Sequence, residues 1–103
     1  MESSDIHDRI REIRRETAEL RRFANDRIER ANEGIERADI RIAELQAALA
    51  SCTSAPDAAW VKVDLQLATL AREQYVMLRK EADMRERIDR CDRELDELER
   101  SAP

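Results

Sequence analysis

The sequence predicts an all-α fold: a long antiparallel helical hairpin, that is, a two-helix coiled coil, dimerising into a four-helix bundle. Three observations carry this expectation. An apolar seam spaced alternately three and four residues apart runs through residues 60–98. A similar ladder runs through residues 6–49, and only the stretch between them has turn chemistry. The composition agrees. Charged residues make up 42% of the chain, aromatics 3%, and there is one Gly, which suits long helices rather than a rounded core. A chain of 103 residues is one domain's worth, so residues 1–103 are read as a single helical-hairpin domain.

The first helix is expected over about residues 4–50. Ser3, Ser4 or Asp5 can cap it, and acids there suit the positive end of a helix dipole. The ladder runs Ile6, Ile10, Ile13, Thr17, Leu20, Ala24, Ile28, Ala31, Ile35, Ala38, Ile42, Leu45, Leu49. Its one irregularity is the 4-4 step at Leu20, Ala24 and Ile28, a stutter that locally unwinds a supercoil. Gly34 costs about 1 kcal/mol against Ala inside a helix. The ladder nevertheless keeps its phase through Gly34, and no N-cap follows, so one continuous helix is the expectation.

The turn is expected at about residues 51–56. Ser54 is a natural N-cap, Pro56 suits a first helical turn, and Asp57 stands three residues after Ser54. A connection this short folds the chain back on itself.

The second helix is expected over about residues 56–100. Its seam is Trp60, Val63, Leu67, Leu70, Gln74, Met77, Glu81, Met84, Ile88, Cys91, Leu95 and Leu98, interrupted only by Gln74 and Glu81. Reversal near Ser54 sets Ile10 against Leu98, Leu20 against Ile88 and Ala24 against Met84. It also sets Ala31 against Met77, Ala38 against Leu70, Ile42 against Leu67, Leu45 against Val63, and Ala48 or Leu49 against Trp60. Small faces large in several of these layers, as interdigitated packing requires. Glu81 falls at the height of Arg27, a candidate register pair, and Gln74 falls beside Gly34, where a missing side chain leaves room.

Apolar surface is left over near the turn. Ala68, Ala71, Tyr75, Leu78 and Ala82 widen the seam of the second helix to one side, Val61, Leu65 and Val76 lie further round, and the first helix adds Ile40, Ala43 and Ala47. With Trp60 these residues form the expected partner or dimer interface, because two helices alone cannot cover so broad a face. The expected partners are a second copy of the chain and a protein client with an amphipathic helix.

Other chemistry finds little support. His7 is the sole histidine, and no set of catalytic or metal-ligating groups has a reason to converge. Cys52 and Cys91 would lie roughly 55 Å apart at about 1.5 Å per residue, too far for a disulfide. One Gly permits no phosphate-binding loop, and neither half of the chain has a basic block for nucleic acid. No apolar run approaches about 18 residues, and no signal-peptide pattern opens the chain. The expectation is a soluble cytoplasmic protein that is not an enzyme and takes no cofactor, metal, nucleic acid, membrane or small-molecule substrate.

In size, acidity and helical form the chain resembles the small secretion chaperones that serve needle and filament subunits, a likeness of architecture carried by no motif. It departs from the small secreted hairpins with a Trp-x-Gly turn, since Val61 and Lys62 follow Trp60. The resemblance implies a secretion or assembly chaperone, or an adaptor, holding a partner helix near the turn. The alternative is a small acidic regulator that sequesters an enzyme or transcription factor. For that reading the acidic cluster of Asp89, Asp92, Glu94, Asp96, Glu97 and Glu99 would be the working surface, although interleaved arginines suit it better to a solvated helix face.

Overall fold

An apolar ladder at helical spacing becomes one long helix. In the structure, a computed structural model that describes residues 3–102, α1 spans Ser3–Ser51. Two further helices follow, α2 over Ala55–Glu81 and α3 over Arg85–Ser101. No strand occurs among the described residues, so the chain is all-α. Two units divide it. One comprises Met1–Asp26 with Ala82–Pro103, and the other Arg27–Glu81.

α1 passes through Gly34 without a break, and neither that glycine nor any other described residue has a positive φ. Along the ladder Ile10, Ile13, Thr17, Ala24, Ala31, Ile35, Ala38 and Leu45 are buried, while Ile6, Leu20, Ile28, Ile42 and Leu49 are half-buried. Thr17 is tolerated among them because its Oγ1 donates to the Ile13 carbonyl four residues back, at 2.7 Å.

In the Met1–Asp26 and Ala82–Pro103 unit, Ile88, Cys91, Leu95 and Leu98 form the half-buried face of α3. Arginines of α1 donate to carboxylates of α3. Arg9 reaches Glu94 at 3.2 Å and Arg21 reaches Asp92 at 2.6 Å, while Arg14 pairs with Glu99. Each pair is largely solvent-exposed and therefore weak, so apolar packing supplies most of the attraction.

In the Arg27–Glu81 unit, α1 ends at Ser51 and three residues lead to α2. Ser54 Oγ accepts from the Asp57 amide at 3.3 Å, and its carbonyl accepts from the Ala58 amide at 3.1 Å, so Ser54 caps α2. Arg72 Nε donates to Asp39 at 2.6 Å, and Arg79 donates to Asn32 Oδ1 at 2.9 Å. A step of seven residues up α1 thus matches a step of seven back along α2.

The face of α2 turned to these contacts is not the regular seam. Ala58, Val61, Leu65, Ala68, Ala71, Arg72, Tyr75 and Val76 are half-buried, whereas Trp60, Val63, Leu67, Leu70, Gln74 and Met77 are exposed. The layers expected to set Met77, Leu70, Leu67, Val63 and Trp60 against α1 are therefore not formed. The cause lies in α1. Its ladder here is shallow, with Ala31, Gly34 and Ala38 in line, and a shallow face admits a flat ring and small side chains close to the backbone. Tyr75 takes that place: a Cβ on Gly34 would come within 2.6 Å of Tyr75 Cζ and closer still to the ring edge. The space beside Gly34 is filled by Tyr75, not Gln74.

The second departure is a break where a continuous helix over 56–100 is expected. α2 stops at Glu81 and α3 starts at Arg85. Asp83 Oδ1 accepts from the Arg85 amide at 3.1 Å, a local turn that competes with the helical bond, and the first bond of α3 runs from the Ile88 amide to the Met84 carbonyl at 2.9 Å. Arg79 and Lys80 in the last turn of α2, and Glu86 in the first turn of α3, suit the dipole ends so created.

The packing of Tyr75 on Gly34 predicts a change of sign. Gly34→Ala should gain about 1 kcal/mol of helix propensity but lose about 1–3 kcal/mol to overpacking, and so destabilise the native chain. In a Tyr75→Ala background the same substitution should stabilise by about 1 kcal/mol. Denaturant unfolding of the four proteins at one fixed concentration checks this; equal stabilisation in both backgrounds would refute the contact.

Candidate functional site, an apolar face of α2

With the α1-facing side of α2 taken, its other apolar side is left in water. Trp60 is 72% exposed, Met77 60%, Leu67 59%, Leu70 54%, Leu78 48% and Val63 45%. At about 100° per residue this seam is centred roughly 140° round the helix from the half-buried face, so α2 is apolar on two sides. Its heptad spacing, residues 60, 63, 67, 70, 74 and 77, is that of a helix meeting another helix.

The residues expected to form the interface divide accordingly. Trp60 and Leu78 lie on the exposed side, and Val61, Leu65, Ala68, Ala71, Tyr75 and Val76 are half-buried on the other. Ala82 is buried within the unit that contains α3. Ile40, at 55% exposure, and the exposed Ala43 and Ala47 lie on the side of α1 away from its buried ladder, separated from it by about 120–180° of helix. Val63, Leu67, Leu70 and Met77 enter the candidate surface in place of the half-buried set. The signal for them was in the sequence, since theirs is the stricter repeat.

Arg27 and Glu81, the expected register pair, are both exposed. Arg27 lines a cleft of about 230 Å³ with Arg30, Ala31, Tyr75 and Leu78. This is below the roughly 300–1,000 Å³ of small-molecule sites and is open on one side, which makes it a groove beside Tyr75 rather than a ligand pocket.

The remaining polar chemistry is spent within the chain. In the acidic cluster, Asp92, Glu94 and Glu99 accept from Arg21, Arg9 and Arg14. The Glu94 carboxylate, followed by that of Glu12, raises the Arg9 pKa above its usual value, leaving a guanidinium that is always charged. Cys52 and Cys91 are both free thiols and half-buried. Among the described residues no group of His, Cys, Asp or Glu could hold a metal ion, and no helix is long and apolar enough to cross a membrane. The chain matches no protein-family model, no curated protein and no solved structure.

Two neighbouring leucines distinguish the two sides of α2. In protein dilute enough to exclude association, Leu65→Asp should lower unfolding stability by 2 kcal/mol or more, because it sets a carboxylate on the half-buried face. Leu67→Asp should cost less than about 1 kcal/mol, most of it helix propensity. Urea unfolding followed by far-UV circular dichroism reads both, and the reverse order would mean that the seam faces α1.

Proposed function

We propose that the chain is a non-enzymatic interaction protein, an antiparallel helical hairpin that works by binding other helices. One observation carries this reading: a regular heptad seam stands in water on α2 while a different face meets α1. A seam of this regularity has no use on a solvated surface, where polar residues would serve better and would not aggregate. The hairpin itself is supported by the three-residue connection, the Ser54 cap, and the matched seven-residue steps of the Asp39–Arg72 and Asn32–Arg79 contacts.

The first occupant of the seam is a second copy, giving a four-helix bundle of two hairpins. A client protein with an amphipathic helix then has the strip of Ile40, Ala43 and Ala47 on the outer side of α1, or the seam itself by exchange. In biological terms this is a small cytoplasmic assembly or secretion chaperone, or an adaptor. The free thiols of Cys52 and Cys91 fit a reducing compartment. The alternative, an acidic regulator sequestering an enzyme or transcription factor, draws less support, because three carboxylates of the α3 cluster are engaged by arginines of α1.

Trp60 reports on the central claim, since it is the only Trp and lies on the seam. Its emission should shift to the blue, and its acrylamide quenching should fall, as concentration rises through the range where light scattering records the dimer. Leu67→Asp with Met77→Asp should abolish both changes without loss of helix. A monodisperse monomer that also retains no protein in pull-downs from its native host would sink the interaction reading. Charge reversal at Asp96 and Glu97 separates the alternatives: client binding survives it in a chaperone and is lost in an acidic regulator.

A further inference from the structure

We infer that the α2 seam is the contact of an antiparallel homodimer, centred between Leu67 and Leu70 and oriented by Glu81; this deepens the reading above and rests on it. The amount of surface suits a second copy. Trp60, Val63, Leu67, Leu70, Met77 and Leu78 expose on the order of 600 Å² of side chain per chain, taking about 150–250 Å² for a large side chain laid bare. That approaches the roughly 800 Å² per partner of a stable interface and stands at the top of the range of apolar patches that soluble monomers leave open.

Orientation follows from the seam's own order. In a parallel pair each residue meets its counterpart. Glu81 then faces Glu81 at the end of an apolar seam, two like charges held together, and Trp60 faces Trp60 in one overfilled layer. In an antiparallel pair the layers read Trp60 against Met77 of the second copy, Val63 against Gln74, and Leu67 against Leu70, then the same in reverse. Large residues are distributed to both ends, and the flexible thioether of Met77 fits the indole face. Glu81 then lies opposite Pro56, in the first turn of the second copy's α2, where the helix dipole favours an anion.

The flanking positions support the same register. Gln66 and Glu73 of opposite copies stand side by side and can share a hydrogen bond. Sliding the pair by one heptad to set Leu67 against Met77 would instead bring Glu73 against Glu73. Of the other flanks, Ala59 stands beside Lys80 and Ala71 beside Asp64 of the opposite copy, so each of these charges meets a small neutral side chain and no like charge.

Cysteine pairing tests the geometry. Val63→Cys and Gln74→Cys are each made in a Cys52→Ser, Cys91→Ala background, given tags of different mass, mixed under reducing conditions to exchange, and oxidised with glutathione disulfide. The mixed 63–74 disulfide should exceed either like-with-like disulfide at least tenfold. Dominant like-with-like products would overturn the antiparallel arrangement in favour of a parallel one. A dimer by light scattering with no crosslink at either site would overturn the seam as its contact. A monomer by light scattering would remove the dimer altogether, and with it the reading on which this inference rests. Glu81→Leu gives a second measure. The dimer's dissociation constant should stay within about twofold of the unsubstituted chain in the antiparallel pair, and a tenfold tightening would mean that Glu81 faces Glu81.

Discussion

The ring of Tyr75 lying on the backbone at Gly34 is the constraint on which the Arg27–Glu81 unit turns. A helix bearing two apolar sides has no preference between them from hydrophobic burial alone, since either side removes comparable area from water. Shape decides instead. The run of Ala31, Gly34 and Ala38 gives α1 a shallow strip, and Ala68, Ala71 and Tyr75 are the residues of α2 that fill a shallow strip without a void. Leu67, Leu70 and Met77 would hold the helices further apart there and leave gaps beside Gly34, each a loss of dispersion contact.

The polar contacts follow from that choice. Once Tyr75 sits on Gly34, Arg72 is carried to Asp39 and Arg79 to Asn32, one helical repeat to either side. Asp39, Asn32 and Arg79 are exposed and Arg72 is half-buried, so each contact is open enough to water to contribute a fraction of a kcal/mol up to about 1 kcal/mol, too little to overcome a mismatch in apolar packing. They work as selectors of register rather than as its source. The arginines of α1 that reach Asp92, Glu94 and Glu99 act in the same way within the other unit. These charges are thereby consumed internally, which is why an acidic count alone says little about an acidic docking surface.

Legibility in the sequence varied with how many solutions the local physics allowed. The buried ladder of α1 was readable residue by residue from Ile6 to Leu49, because that helix has one dominant apolar stripe and charge elsewhere. The cap at Ser54 was readable because a Ser three residues before Asp57, with Pro56 between, has few other uses. The inward face of α2 was not. Periodicity reports that a stripe exists and not what it faces, and the stricter of two stripes was the wrong one to assign to α1. The small residues of α1 were visible as Ala24, Ala31 and Ala38, but their consequence depended on which ring would come to them. The break at residues 82–84 had a signal too, since Asp83 followed three residues later by Glu86 is a helix-start pattern. With no Gly or Pro to mark it, an uninterrupted seam outweighed that signal, and of the helical bonds lost at the break the Asp83 side chain replaces the one at the Arg85 amide.

The two apolar sides of α2 also differ in kind, and this bears on what the molecule is for. The inward side is irregular, mixing Ala, Tyr and an Arg stem, as suits a fit to one particular neighbour that is always present. The outward side is a plain 3-4 repeat of Trp, Val, Leu, Leu and Met, a pattern able to meet any helix of similar spacing. A covalently linked neighbour needs no such generality, because the short connection holds it at high effective concentration. A partner arriving from solution does need it, since the contact alone must offset the lost freedom of association. Placing the irregular face against α1 and the regular face in solvent is the arrangement that the proposed association calls for. In the association proposed above, Gln74 and Glu81 of the regular face would matter more for excluding wrong alignments than for adding affinity.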